Sequence, residues 1–351
     1  MSWKDRLKVY LKGFLCALIP VVICTIRLAF DGKAIWDIYL PNSTWNDELL
    51  YYKLTEGCVN YTIPQGYFGF NESHALVGSL AAWSPVLLMF WDLWGVVLGW
   101  NLLSPILCNL FLMGAGMYFF GKYMRPTKWQ IVMLAALFAV FTPVARFVLS
   151  GMPEAQIYAV LLYVLAQTWD TDQNVPMVSK KYTYRVMALA LMIALLTLMR
   201  PYYLLLFGLF VYLVQKKWSK KVTCITSAIV VGINTVSYLL INHYLSAPYL
   251  TSLFYTDWLT AYKQGFLYGL KYDIWKLLGS IKSICIMIMQ QAPEGKLLAG
   301  SLYFLFLICL VFWIVLVIQK DKWHIPFAIR VQMLVLMVGF FGADLMMYRL
   351  Q

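Results

Sequence analysis

Histidine is almost missing from this chain: three in 351 residues, at positions 74, 243 and 324. Residues so dispersed give no basis for a histidine-built metal site, and a divalent metal has no other support; no cofactor is expected. Charge is scarce as well, 13% of residues, and acids are outnumbered, 16 against 28 Lys and Arg. The seven cysteines form no CxxC and no paired spacing, which excludes a zinc site and a disulfide framework. No P-loop, GxGxxG, HExxH or Gly-x-Ser-x-Gly sequence occurs, so neither a phosphate cradle of the usual nucleotide-binding kind nor a hydrolase elbow is present.

What fills the space is apolar. Hydrophobic residues make up 62% and the mean hydropathy is +0.71, a composition foreign to soluble domains. Several runs approach or exceed the roughly 18 apolar residues that mark a spanning helix. The expectation is one all-α polytopic membrane domain over 1–351, with about nine such helices. The N-terminal stretch resembles a signal peptide but has a long apolar run and no cleavage signature, so it reads as a retained first span, 13–30. The net charge of +12 gathers in short loops between apolar runs. That is the positive-inside pattern, which orients a membrane protein with its N-terminus in the cytoplasm and needs no nucleic acid.

The spans then follow at 102–120, 130–147 and 155–168, with two short helices within 186–214. The next are 222–242, 297–318 and 331–348. Between the first two lies a large outer loop, 31–76, carrying juxtamembrane helices. The segment 77–101 could span by length, but Trp83, Pro85, Trp91, Asp92 and Trp94 interrupt it and its uncharged turn at Gly99 is no cytoplasmic loop. It reads as juxtamembrane or re-entrant. The mixed segment 243–296 reads as outer interfacial helices. The chain stops just after its last span, which is expected of a chain that has lost further helices.

Polar residues outside the basic loops supply the candidates for chemistry. Asp47 and Glu48 sit among aromatics in the outer loop, where a carboxylate can act as general base or steady a developing oxocarbenium ion. Adjacent helical residues point apart, and Asp47 is the favoured one. The plain alternative is a solvated acid capping a helix. Glu72 and His74 close the same loop, as phosphate binders or as a surface pair. Glu154 follows Pro153 at the outer start of a span, either functional or an ordinary helix-terminal acid. Arg200 precedes Pro201 inside an otherwise uncharged run, where proline breaks the helix. Its guanidinium can hold a phosphate through two parallel hydrogen bonds or merely reach to the interface. Tyr202 and Tyr203 suit a sugar or an aromatic belt. Sequons at Asn42, Asn60 and Asn71 are glycan acceptors only in a secretory compartment.

Asp47-Glu48-Leu49-Leu50-Tyr51-Tyr52, followed by Gly57, Pro64, the Gly66-Tyr67-Phe68-Gly69-Phe70-Asn71-Glu72 run and Trp83-Ser84-Pro85, resembles the GT-C class of polytopic membrane glycosyltransferases. That class includes protein O-mannosyltransferases and the aminoarabinose transferases of lipid A. The resemblance implies a first helix, an outer loop opening on an acid, a second acid corresponding to Glu154, and a polyprenyl-phosphate sugar donor. It implies inverting transfer to a glycan, lipid or protein acceptor with Asp47 as the catalytic base; Glu48 beside it is the second catalytic candidate, and Glu72, His74, Glu154, Arg200 and Tyr202 are the candidates for binding substrate. The setting is the plasma membrane, or the endoplasmic reticulum in a eukaryote. A soluble C-terminal domain is missing from the pattern. A lipid or polysaccharide transporter, and a non-catalytic truncated relative, are the rival readings. The former expects charges at mid-membrane and a symmetric pair of broken helices.

Overall fold

The first helix, α1 (Trp3–Phe30), starts where the sequence offers a reciprocal cap. Ser2 Oγ accepts from the Asp5 amide at 3.2 Å, while the Asp5 carboxylate accepts from the Ser2 amide. The computed structural model describes residues 2–42, 47–61, 65–66, 76–77, 84–140, 142–245, 257–291, 310–315, 317–319 and 330–339. Two compact units divide the chain, Met1–Leu250 and Thr251–Gln351.

In the first unit, α1 is followed by α2 (Asp47–Tyr61) and α3 (Met89–Leu98), then α4 (Ser104–Met124), α5 (Lys128–Val140), α6 (Thr142–Val148) and α7 (Glu154–Asn174). After these come α8 (Lys180–Met199), a 3-10 turn (Pro201–Leu206), α9 (Phe207–Lys217) and α10 (Lys220–Leu245). A two-residue antiparallel pairing joins Gln65–Gly66 to Leu76–Val77. The second unit contains α11 (Asp257–Tyr262), α12 (Phe266–Gln291) and α13 (Arg330–Gly339). The Tyr262 hydroxyl donates to Asp273 at 2.7 Å, tying α11 to α12.

Among the described residues four helices, α1, α4, α8 and α10, are long and apolar enough to cross a membrane. They arise where the sequence offers long, nearly uncharged apolar stretches of about 18 residues with at most two charges. One expected span divides instead. The run at 130–147 separates into α5 and α6, and Pro143, which lacks an amide hydrogen, stands at the start of the second piece. The run from Val186 to Val214 breaks at Arg200-Pro201, as anticipated, but α8 is long enough to span alone, so the two helices meeting there are not both short. Arg200 itself is extended, at φ −146° and ψ 120°, the conformation favoured before proline. The segment expected as the fourth span forms a longer helix, α7, which is not among the four apolar enough to cross. It runs on to Asn174 because its polar end is held by ion pairs.

Packing in the first unit passes from α1 to α4 to α7 to α8, with α9 and α10 beside α8. Glycine permits the closest approaches. A Cβ at Gly121 would lie 2.6 Å from the Lys12 carbonyl oxygen, and one at Gly116 2.7 Å from that of Ala159, so the backbone of α4 nearly touches both neighbours. The pairings of Lys12 with Gly121 and Ala17 with Gly114 make α1 and α4 antiparallel. The 31–103 connection therefore leaves and returns at the same end of the bundle. Within it α3 is ten residues long, too short to cross. A buried apolar cluster that includes Cys16, Cys24, Met113, Met117, Phe138 and Val148 joins α1 to α4, α5 and α6.

Candidate functional site

At the end of the bundle where α4 and α7 begin, a single amide organises the turn between α6 and α7. Asn109 is fully buried. Its Nδ2 group donates among the carbonyls of Phe147, Ser150 and Met152 at 3.3, 3.0 and 3.2 Å. Its Oδ1 accepts from the Trp91 indole at 3.0 Å. A polar group in an apolar helix is costly unless bonded, and here it is bonded to three turns of chain at once. The α6–α7 turn and α3 are both fastened to α4.

The outer loop is then fastened to that turn. Glu48 is 0% exposed and its Oε2 accepts from the backbone amides of Gly151 at 2.8 Å and Asn42 at 3.1 Å. The Asn42 side chain returns a bond to the Leu149 carbonyl at 2.6 Å. A Cβ at Gly151 would meet the Glu48 Cβ and Leu40 at 3.1 Å, so only glycine allows so close a seat. Glu48 thus acts as a buckle between two loops, and it is turned away from solvent. Asp47, the first residue of α2, is exposed.

Glu154 opens α7 and forms an ion pair with Arg200 at the break after α8. Both are largely buried, with side chains 17% and 9% exposed. The exposed Asp47 carboxylate at the start of α2 is within electrostatic reach of Glu154. Tyr158, one turn along α7, interacts with both Glu154 and Arg200. Tyr203 does so too, with its ring 4.8 Å from that of Tyr202. Phe147 packs on Tyr158 with ring centres 6.2 Å apart.

Asp47, Glu154, Arg200 and the tyrosine pair, named from sequence as candidates, therefore lie at one end of the first unit. Glu48 is beneath them as support. Glu72 and His74 lie outside the described residues. Sequence reasoning missed Tyr158 and Asn109. The first was signalled by its i, i+4 spacing from Glu154 on one helix face, the second by an amide in an uncharged run.

Chemically, the cluster offers an exposed carboxylate, a guanidinium held by a carboxylate partner, and aromatic hydroxyls. Among the described residues no group of three or more His, Cys, Asp or Glu side chains could hold a metal ion. The chain matches no protein family, no curated protein and no solved structure.

Proposed function

We propose that the protein is a membrane-embedded glycosyltransferase that moves a sugar from a polyprenyl-phosphate donor to an acceptor hydroxyl on the outer face. What supports this reading is the largely buried Glu154–Arg200 ion pair with the exposed Asp47 carboxylate in electrostatic reach of it, at the end of the bundle away from its basic loops. With the basic end in the cytoplasm, the chain makes about nine passes, counting the shorter apolar segments with the four long helices. It resides in the plasma membrane, or in the endoplasmic reticulum of a eukaryote.

In this reading Asp47 takes the proton of the acceptor hydroxyl as its oxygen attacks the anomeric carbon. The bond from that carbon to the phosphate oxygen breaks, and the electron pair leaves with the polyprenyl phosphate. One displacement inverts the anomeric configuration. Arg200 offsets the charge of the departing phosphate, and Glu154 holds the guanidinium in place. Tyr158, Tyr202 and Tyr203 line the approach to the sugar. No nucleotide is required, because the leaving group is the lipid phosphate itself.

The test is Asp47→Asn in proteoliposomes supplied with lipid-linked sugar. Transfer is expected to fall by at least about 100-fold, the range of a lost general base, with unchanged expression and helix content. Full transfer by that variant sinks the assignment.

A further inference from the structure

At the end of the first unit opposite Asp47, seven helix termini come together. Lys12 of α1 donates to the Arg125 carbonyl after α4 at 3.2 Å. Asp170 near the end of α7 pairs with Arg185 of α8 at 2.9 Å and with Arg125 at 3.7 Å. Asp172 pairs with Lys216 at the end of α9 and accepts from the Tyr212 hydroxyl at 3.0 Å. Lys217 reaches Thr183 at 2.7 Å. The starts of α5 and α10 follow within a few residues of these contacts.

Fourteen Lys and Arg fall in these termini (residues 4–12, 122–128, 180–185 and 216–221) against three Asp, at 5, 170 and 172. The three acids are already engaged, Asp5 in the cap of α1 and the other two in the ion pairs above. The surplus is therefore not neutralised within this unit. Arg125, Lys128, Lys180, Lys181, Lys220 and Lys221 are all exposed. Large aromatics stand among them: Trp3 is 76% exposed, Trp129 78% and Tyr184 69%. Trp and Tyr in such positions favour the headgroup level of a bilayer, and the cations emerge within a turn of apolar helix ends. A face built to meet a protein or nucleic acid in water would carry its charge beyond that level.

We infer that this end is a collar that gathers anionic phospholipids, binding their headgroup phosphates from the surrounding leaflet. The inference needs only the charge distribution and the helix ends, so it stands apart from the transferase reading. Juxtamembrane cations each attract acidic lipid, and the attraction is screened within a Debye length. Lipid bound at the starts of α8 and α10 and the ends of α4 and α9 reinforces the ionic contacts that hold those helices together.

The experiment takes the full chain into bilayer discs of phosphatidylcholine with 30% phosphatidylglycerol (roughly the acidic fraction that gives a strong surface potential) and measures the lipid co-purifying after detergent extraction. The wild-type chain is expected to retain phosphatidylglycerol well above its share of the bilayer, and to lose that excess when extracted at about 1 M salt. A Lys180→Gln, Lys181→Gln, Lys220→Gln, Lys221→Gln variant should lose at least about fivefold of the enrichment, the factor of one surface cation. The matching four Lys→Arg changes should keep it. Retention in proportion to the bilayer, or unchanged enrichment in the Gln variant, overturns the inference. So does loss of the lipid to dissolved glycerol phosphate at millimolar concentration, which would assign the site to a free anion.

Discussion

Asp47 and Glu48 are neighbours with opposite fates. One turns to solvent, while the other is buried and bonded to amides more than a hundred positions away and six positions back. The sequence made both visible as an acidic pair. It could not tell which was the support, because the partner amide at Gly151 is a backbone group with no signature of its own. Glu48→Ala leaves the buried Gly151 amide and the part-buried Asn42 amide without their acceptor and should destabilise the protein by about 1–3 kcal/mol. It should also slow sugar transfer, by letting Asp47 drift. Glu48→Gln keeps an acceptor oxygen and should recover most of both losses, read as thermal midpoint and turnover side by side. An Ala variant of normal midpoint and rate would show the buckle to be idle.

Asp92 of α3 gives a pH signature outside the spanning helices. Burial pushes its carboxyl up to about 7, whereas in the unfolded chain it ionises near 4. The native state then binds the extra proton between those values. Stability should be highest at the acid end of this window and fall as pH rises through it, by up to about 1.4 kcal/mol per unit. Asp92→Asn should flatten that slope. Midpoints at pH 4.5, 5.5 and 6.5 decide the matter, since parallel curves for the two proteins exclude the effect.

Among the helices, breaks marked by proline next to charge were legible and breaks marked by proline alone were not. Arg200-Pro201 stood out because arginine interrupted an apolar run. Pro143 sat in an uninterrupted one, so α5 and α6 read as a single span. Close packing was likewise invisible, since a glycine looks the same whether it faces lipid or a backbone. Gly116→Ala should lower stability by about 1–3 kcal/mol through overpacking against α7. Gly232→Ala, where nothing lies within 4 Å of the added methyl, should be neutral or gain up to about 1 kcal/mol. Equal midpoints for these two variants would contradict the contact of α4 with α7.

For the whole molecule, the polarity of the ends was the most legible feature, because each basic loop adds independently to one sum. That Asp47, Glu154 and Arg200 belong to one outer site was expected from the sequence, but the direct Glu154–Arg200 ion pair was not, since it depends on how distant segments fold back. Orientation is testable directly. A single cysteine replacing the exposed Asn60 of α2, in a chain cleared of other cysteines, should react with a membrane-impermeant thiol reagent on intact cells. One replacing Lys180 should react only after permeabilisation. The reverse pattern would put the acids on the wrong side for the proposed transfer.

The helix pair α7–α8 is tied twice, by Glu154 to Arg200 at one end and by Asp170 to Arg185 at the other. A slip of one helix along the other by a single turn, about 5.4 Å, would part both couples in the same movement. The pair behaves as a rung-braced ladder with its register locked. A ratchet of one helix past the other would have to break both ties at once, which makes this pair a braced frame rather than a sliding joint.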